Sequence, residues 1–297
     1  MNTLVINNAS KVYSNGTKAL ENVSLKISNG MFGLLGPNGA GKSSLMRTIA
    51  GLQTLTSGSV IFNGNDISKD PSKIRQHLGY LPQEFGVYPR MSALDLLNHI
   101  AILKGVLNKK ERQQQIEALL IKTNLFEHRK KFVSNYSGGM RRRFGIAQAL
   151  LGKPKLIMVD EPTAGLDPEE RNRFLDVLSE VSSSVIVLLS THIVEDIRVL
   201  CSDMAILSNG QIVKQGNPND LINGLQGKIW KTPVLKNELN VLKDKYNVIS
   251  TRLLAGKTNA YVFSEEQLTT DFESVPTDLE HVYFHILETS KTKSDAA

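Results

Sequence analysis

Three of the short continuous runs of apolar residues in the chain indicate buried strands. The runs Met31–Leu35, Leu156–Val159 and Val185–Leu189 have the length of a strand and contain no charged residue. Runs of this kind are typical of parallel strands that are covered on both faces. Segments predicted as helices, 168–181 and 194–200, follow two of them. This alternation predicts an α/β fold with a mainly parallel sheet and flanking helices.

Three further patterns surround this core. An antiparallel β portion is predicted near the N-terminus, around the turn signal Asn15-Gly16. A mainly helical insertion is predicted at about 88–152, because its apolar positions recur at helical spacing. A closing hairpin is predicted across Asn209-Gly210. The strands predicted in these parts are Thr3–Asn7, Leu20–Ile27, Val60–Phe62, Ala205–Leu207 and Ile212–Val213.

The pattern breaks at Gly216-Asn217-Pro218, where we place a boundary between 1–217 and a small accessory α+β region, 218–297. The last predicted helix, about 278–288, has an apolar face and is expected to dock on another part of the protein. The polar end from Lys291 is predicted to be disordered. The other elements predicted here are a helix near 235–246 and strands near 248–254 and 260–263.

A glycine-rich segment, Gly36-Pro37-Asn38-Gly39-Ala40-Gly41-Lys42-Ser43, lies between the first apolar run and a helix-like segment. Glycines in such a loop let successive backbone N–H groups point at a polyphosphate, and the helix N-terminus adds positive potential. Lys42 can then reach the β- and γ-phosphates, while the Ser43 hydroxyl can ligate Mg²⁺. The segment therefore predicts a nucleoside triphosphate site.

Two adjacent carboxylates, Asp160 and Glu161, end the second apolar run. A parallel strand delivers such residues to the C-terminal edge of its sheet, where ligands bind. Asp160 would hold Mg²⁺, directly or through water, and Glu161 would polarise the attacking water. Together with the glycine-rich loop, the pair predicts binding and hydrolysis of ATP.

The third motif is Tyr136-Ser137-Gly138-Gly139-Met140, at the start of a helix predicted for Met140–Leu151. Ser137 is a good N-cap residue, and the two glycines leave the backbone exposed at the helix start. A helix start of this kind can receive a γ-phosphate.

The order of these motifs along residues 1–217 resembles that of the ATP-binding cassette (ABC) ATPases. The fold of that family is a P-loop NTPase core. The resemblance implies that Tyr13 stacks on adenine, that Gln83 senses Mg²⁺, water and the transport partner, and that His192 contacts the γ-phosphate. It also implies that Asp167 lies at a subunit contact. The nucleotide-binding residues so predicted are Tyr13, Gly36, Pro37, Asn38, Gly39, Ala40, Gly41, Lys42, Ser43, Ser44, Ser137, Gly138, Gly139, Asp160 and Asp167; the catalytic residues are Gln83, Glu161 and His192; the metal-binding residues are Ser43, Gln83 and Asp160.

The signature departs from the commonest form in that family, Leu-Ser-Gly-Gly-Gln, because Tyr136 comes first and Met140 last. A methionine cannot supply the amide contact that a glutamine could. Followed by Arg141-Arg142-Arg143, the motif resembles the type-2 ABC export subfamily, which moves drugs, peptides, polysaccharides or lipids. The arginine cluster itself is interpreted as a solvated helix face, because no nucleic-acid module accompanies it.

The composition of the chain indicates where such an ATPase would act and which partner it would need. The chain has 297 residues, a net charge of +6 and one cysteine, Cys201, which suits a reducing cytoplasm. It has no apolar stretch near the roughly 20 residues that span a bilayer. A transport ATPase of this kind would therefore need a membrane permease on a separate chain, and would lie at the inner face of the cell membrane through that permease.

The sequence contains one glycine-rich loop and one signature, with no internal repeat. In the ABC family each ATP lies between the loop of one subunit and the signature of another, so the resemblance implies a homodimer or a heterodimer with a second ABC ATPase. A soluble ABC ATPase acting on ribosomes or DNA is the alternative, although such proteins usually carry two cassettes or a long coiled-coil insertion. His281 and His285 have a spacing that could hold Zn²⁺, but they lack further ligands nearby, which favours a structural role.

Overall fold

The computed structural model describes residues 1–86, 88–163 and 166–295. In this part of the chain the strands form three sheets. The strands are β1 (Thr3–Val12), β2 (Lys18–Ser28), β3 (Gly30–Leu35), β4 (Ser57–Phe62), β5 (Asn65–Asp66), β6 (Leu78–Leu81), β7 (Leu156–Asp160), β8 (Ile186–Thr191), β9 (Asp203–Ser208), β10 (Gln211–Gly216), β11 (Ile229–Pro233), β12 (Asn247–Leu254), β13 (Lys257–Phe263) and β14 (Glu273–Ser274). The helices are α1 (Lys42–Ile49), α2 (Ser72–Arg75), α3 (Ala93–Leu103), α4 (Lys109–Lys122), α5 (Gly138–Leu150), α6 (Pro168–Ser182), α7 (Val194–Leu200), α8 (Pro218–Gly224), α9 (Leu239–Lys245) and α10 (Leu279–Asp295).

The central sheet has the strand order β10-β9-β3-β8-β7-β6. Strands β9, β3, β8, β7 and β6 are parallel, and β10 pairs antiparallel with β9. Every residue of β7 and β8 is buried, as expected for apolar runs with helices on both faces. The predicted α/β fold with a mainly parallel sheet is confirmed. The carboxyl ends of β3 and β7 flank that of β8, so the residues that follow these strands meet at one edge.

The antiparallel sheet has the order β2-β1-β4-β5 and packs with α1 on one side of the central sheet. The opposite side is covered by α6, α7 and the beginning of α10. Both the predicted antiparallel portion and the hairpin across Asn209-Gly210 are present, and both residues of that turn have positive φ. Strands β1 and β2 are longer than predicted, because Lys11 and Val12 continue the pairing opposite Leu20 and Lys18.

The helical insertion consists of α3, α4 and α5 around a core of its own, with Phe144 fully buried at its centre. Side-chain caps begin each helix: Ser92 accepts from the Asp95 N–H (3.1 Å) and Asn108 from the Glu111 N–H (3.0 Å). These three helices lie between Ala93 and Leu150. One of them, α5, begins at Gly138, two residues before the predicted start.

The C-terminal sheet has the order β12-β13-β11-β14. Helix α10 also packs beneath the central sheet, where Leu279, Val282 and Tyr283 join its core. The predicted docking of this helix is confirmed. Toward the C-terminal sheet, the same helix places His281 on the Tyr261 ring, with centroids 4.8 Å apart.

Five elements of this region differ from the predictions. The elements β11, β14 and α8 were not predicted, α9 is shorter than predicted, and α10 is longer. Helix α10 continues to Asp295, so the disorder predicted from Lys291 is wrong for 291–295; no glycine or proline interrupts the segment. Across residues 1–86, 88–163 and 166–295, no helix combines the length and the apolar character that crossing a bilayer requires.

Candidate functional site

The glycine-rich loop joins the end of β3 to α1 at the edge of the central sheet. Gly39 and Gly41 have φ values of 80° and 105°, in the region that favours glycine. A Cβ atom on Gly41 would lie 2.3 Å from the Ala19 carbonyl oxygen, so a side chain cannot be accommodated there without a backbone shift. The predicted strand, loop and helix arrangement is present, and α1 begins at Lys42.

Lys42 is buried inside the curve of this loop. Its ammonium donates to the carbonyl oxygens of Gly36 (2.7 Å) and Pro37 (3.1 Å), and it lies 3.8 Å from Glu161 Oε1. Burial lowers the pKa of Lys42, although the Glu161 and Asp160 carboxylates oppose that shift. The loop therefore concentrates positive charge where a polyphosphate would lie.

The carboxylate of Asp160, the last residue of β7, meets the start of α1 directly. The Ser43 hydroxyl donates to Asp160 Oδ2 at 3.1 Å, joining α1 to the edge of the sheet. Asp160 is buried, and its Oδ1 has no hydrogen-bond partner among the described residues. An unpartnered carboxylate oxygen beside a hydroxyl is the donor set that a small hard cation such as Mg²⁺ prefers.

The second carboxylate, Glu161, is held in an unusual backbone conformation with φ of 49°. Its N–H donates to the Ser190 carbonyl oxygen at 2.8 Å, which fixes the turn to the end of β8. Its Oε2 lies 2.8 Å from His192 Nδ1, while Oε1 faces Lys42. The buried carboxylate thus stands between a lysine and a histidine at the mouth of the loop.

A cleft of about 560 Å³ opens over these groups. Tyr13, Gln83 and His192 all line this cleft, so the fold brings three predicted site residues that are far apart in the sequence into one place. The Tyr13 hydroxyl is hydrogen-bonded to Ser44 Oγ (3.0 Å) and donates to Gln53 Oε1 (3.1 Å). The lining residues are Tyr13, Thr17, Lys18, Ala19, Pro37, Asn38, Gly39, Ala40, Gly41, Lys42, Ser43, Ser44, Gln83, Glu161 and His192.

The fold does not bring the signature into this cleft. Ser137, Gly138 and Gly139 form the start of α5 and, like Asp167, are not among the described residues that line it. Ser137 accepts from the Met140 N–H at 3.2 Å, and Asp167 accepts from the Glu170 N–H at 2.8 Å, so both are N-caps. The predicted N-cap role of Ser137 is confirmed.

Glu170 joins the starts of α5 and α6. Its carboxylate pairs with Arg143 (3.2 Å) and lies against Gly139, where a Cβ would fall 2.0 Å from Glu170 Oε2. The signature therefore lies beside Asp167 on a surface separate from the cleft.

Arg142 is a residue of the site that the sequence analysis missed. Its guanidinium donates to the Gln83 carbonyl (2.8 Å), the Pro162 carbonyl (2.8 Å) and the Glu161 carbonyl. Burial lowers its pKa, against the opposing effect of the Glu161 and Asp160 carboxylates. The interpretation of the arginine cluster as a solvated helix face is wrong for Arg142. The sequence did contain a signal that Arg142 faces inward, because it shares a helix face with the apolar residues Ile146 and Ala149 at i+4 and i+7, both of which are buried.

A second missed feature is the fully buried carboxylate of Asp196 on α7. Its Oδ2 accepts from Thr163 Oγ1 (2.5 Å), and its Oδ1 accepts from Arg171 Nε (3.0 Å) and Nη2 (2.6 Å). These partners lie just after Glu161 and in the first turns of α6. One carboxylate thus ties together the three segments that follow β7 and β8.

Comparisons with known proteins agree with this geometry. The family model described as ABC transporter matches residues 20–164. The linearmycin resistance ATP-binding protein LnrL of Bacillus subtilis (strain 168) is 34% identical over 222 residues, covering 74% of this chain and 71% of the relative. The uncharacterized ABC transporter ATP-binding protein YhaQ of the same organism is 36% identical over 265 residues, covering 89% of this chain and 87% of the relative.

A solved structure gives the same result. A dimeric ATP-binding cassette in a post-hydrolysis state, bound to ADP and Pi, matches with a TM-score of 0.67 at 26% identity, covering 72% of this chain and 98% of that chain. The resemblance drawn from the motifs is confirmed. The chain belongs to the ABC transporter family, as one of its ATP-binding and ATP-hydrolysing subunits.

Proposed function

We propose that Glu161 is the general base of ATP hydrolysis. The observation that carries this proposal is the position of its carboxylate, between Lys42 Nζ at 3.8 Å and His192 Nδ1 at 2.8 Å, at the mouth of the glycine-rich loop. A water molecule beside the γ-phosphate would meet this carboxylate and give up its proton as it attacks. His192 would contact the γ-phosphate, and about half of its side chain is open to the cleft.

Mg²⁺ fits the donor set of Ser43 and Asp160. The support is the unpartnered, buried Asp160 Oδ1, next to the hydroxyl that contacts Oδ2. Gln83, which lines the same cleft, would complete the protein side of the site. Bound there, the cation would neutralise charge on the β- and γ-phosphates.

The nucleotide would lie along the cleft, with its phosphates in the loop and its adenine on Tyr13. Lys42 would exchange its contacts to the Gly36 and Pro37 carbonyls for phosphate oxygens. Tyr13 supplies an aromatic face at the other end, and its hydroxyl is fixed to Ser44 and Gln53.

Two such subunits would complete the sites together. Because Ser137, Gly138 and Gly139 lie outside the cleft, a second chain must present its signature to the γ-phosphate. Gly138 has open space where a Cβ would be, which leaves its backbone accessible to a ligand. Asp167 lies on the same surface. The partner would be a second copy of this chain or another ABC ATPase.

A membrane permease on a separate chain would dock beside Gln83, at the inner face of the membrane. Tyr88 is 61% exposed and Leu94 36% exposed there. We infer that the docking groove is lined by Phe85, Val87, Tyr88, Met91 and Leu94. Phe85 is partly buried and packs against the core of the helical insertion. Met91 is partly buried, and Val87, also expected to line the groove, lies outside the described residues.

Export is the transport direction that we propose. Its support is the signature from Tyr136 to Met140 and the name of one relative, a linearmycin resistance protein. The C-terminal region, 218–297, is proposed to be an accessory unit attached to the cassette through α10.

Light scattering tests the proposed arrangement. The Glu161→Gln variant should bind ATP without turning it over, and should therefore be dimeric with ATP and monomeric without it. The double variant with Lys42→Ala is the control, and should stay monomeric at the same ATP concentration. A dimer that is unchanged by nucleotide would contradict the shared site.

A further inference from the structure

The Arg142 guanidinium binds three backbone carbonyls that belong to two distant segments. Nη1 donates to Gln83 at 2.8 Å, Nε to Pro162 at 2.8 Å, and Nη2 to Glu161. A planar guanidinium directs its donors in fixed directions, so three simultaneous contacts fix the relative position of the groups that accept them. A lysine at this position could not make the same three hydrogen bonds.

The two segments that Arg142 contacts carry the side chains of Gln83 and Glu161, which both line the cleft. Glu161 has a φ of 49°, a conformation that non-glycine residues rarely adopt and that persists when surrounding contacts enforce it. Arg142 contacts the carbonyls on both sides of this turn, at Glu161 and at Pro162. The N–H of Glu161 is held separately by Ser190, at 2.8 Å. The turn is therefore fixed from two directions, and Arg142 supplies one of them.

The arginine also belongs to the helix that carries the signature. Arg142 lies on α5, whose N-terminus is Ser137 to Gly139, so one rigid element joins the signature to this subunit's own cleft. The neighbouring arginines differ in their contacts. Arg141 is exposed and donates to the Ser134 carbonyl (2.6 Å), and Arg143 pairs with Glu170.

We propose that Arg142 is a positioning residue for ATP hydrolysis, which holds Glu161 and Gln83 at fixed positions relative to α5. The proposal rests on the function proposed above for Glu161. Within the described residues, the hydrogen bonds of Arg142 go to Gln83, Glu161 and Pro162 and not to the loop that binds the phosphates. Its removal should therefore impair the chemical step more than nucleotide binding.

Steady-state ATP hydrolysis by Arg142→Gln, Arg142→Lys and Arg141→Gln tests this proposal. We expect Arg142→Gln to lower kcat by about tenfold or more, the effect of losing a charged hydrogen bond, with KM for ATP changed by less than about twofold. Arg142→Lys should recover part of kcat, because its ammonium can still reach one carbonyl. Arg141→Gln, the matched control one residue away on the same helix, should behave as the wild type.

A double-mutant cycle with Glu161→Gln separates a positioning role from general destabilisation. If Arg142 acts through Glu161, adding Arg142→Gln to Glu161→Gln should cause little further loss in a single-turnover assay. Full additivity would overturn the proposal, as would a wild-type kcat for Arg142→Gln. A parallel loss of kcat and nucleotide affinity in Arg142→Gln would also overturn it, because it would indicate only a disordered site.

The two proposals fail in different ways. If Glu161→Gln alone kept wild-type turnover, the proposed function of Glu161 would be wrong, whatever Arg142 does. If Glu161→Gln lost turnover while Arg142→Gln did not, the function would stand and the role of Arg142 would not.

Discussion

The Asp196 carboxylate offers a quantitative test, because Asp196 and its neighbour Glu195 on α7 each pair with an arginine but differ in burial. Asp196 is fully buried and accepts hydrogen bonds from Thr163 and Arg171. Glu195 pairs with Arg198 at 2.6 Å, but both side chains are about half exposed. Burial strengthens an ion pair and raises the cost of breaking it, whereas an exposed pair contributes little.

Removal of one partner of a buried pair costs about 3–5 kcal/mol. Arg171 is 31% exposed and can regain part of its hydration once Asp196 is gone, which reduces the expected cost. We therefore expect Asp196→Ala to lower the free energy of unfolding by about 3 kcal/mol. Asp196→Asn keeps the shape and some hydrogen-bonding capacity, so its effect should be smaller. Glu195→Ala should remain close to the wild type.

Equilibrium unfolding in urea, followed by circular dichroism, measures these differences. ATP hydrolysis under conditions where every variant is folded should also fall in Asp196→Ala, because the lost contacts tie the segment after Glu161 to the helix after His192. Equal unfolding free energies for Asp196→Ala and Glu195→Ala would refute the reasoning from burial.

Three further predictions concern binding, coupling and pH. Lys42→Ala should weaken ATP binding by about 10- to 100-fold, the loss of a charged contact, as measured with a fluorescent ATP analogue. Tyr88→Asp should reduce co-purification with the permease while the isolated protein still hydrolyses ATP; Leu103→Asp, at a position 71% exposed at the far end of α3, is the control. Burial raises the pKa of Asp278, but hydrogen bonds from His281 outweigh it and lower the pKa to about 2. Because the pKa of Asp278 is lower in the folded protein than in the unfolded chain, its ionised carboxylate stabilises the fold fully above about pH 4, and this contribution is lost toward pH 2. The stability advantage of the wild type over Asp278→Asn should therefore shrink between these pH values. Urea unfolding at a series of pH values would measure it.

Local sequence predicted those parts of the site that depend on few residues. The glycine-rich loop carries its conformation in its own glycines, and the apolar run before Asp160 determines a buried strand without further information. Glu161 and His192 come together because each follows one of two neighbouring parallel strands, β7 and β8, whose carboxyl ends lie at the same edge of the sheet. The central fold and the cleft could be predicted for this reason.

Other features depend on contacts between segments distant in the sequence. Arg142 lies 59 residues from Gln83, and adjacent arginines look alike until packing decides which one is buried. The strand β11 contains Trp230 and Lys231 and ends at Pro233, so its sequence lacks a clear strand pattern; its pairing with β13 defines it. The network around Asp196 was missed for the same reason, because its two partners, Thr163 and Arg171, belong to separate segments of the chain.

The central claim is that this chain hydrolyses ATP with Glu161 as the base. The most direct test compares ATP turnover and ATP binding in the wild type and Glu161→Gln, with the exposed Glu169→Gln as a control for loss of one carboxylate. We expect Glu161→Gln to lower turnover by about 100-fold or more, as removal of a general base does, while ATP affinity stays the same or rises. Turnover by Glu161→Gln at the wild-type rate would contradict the role of Glu161 as the base.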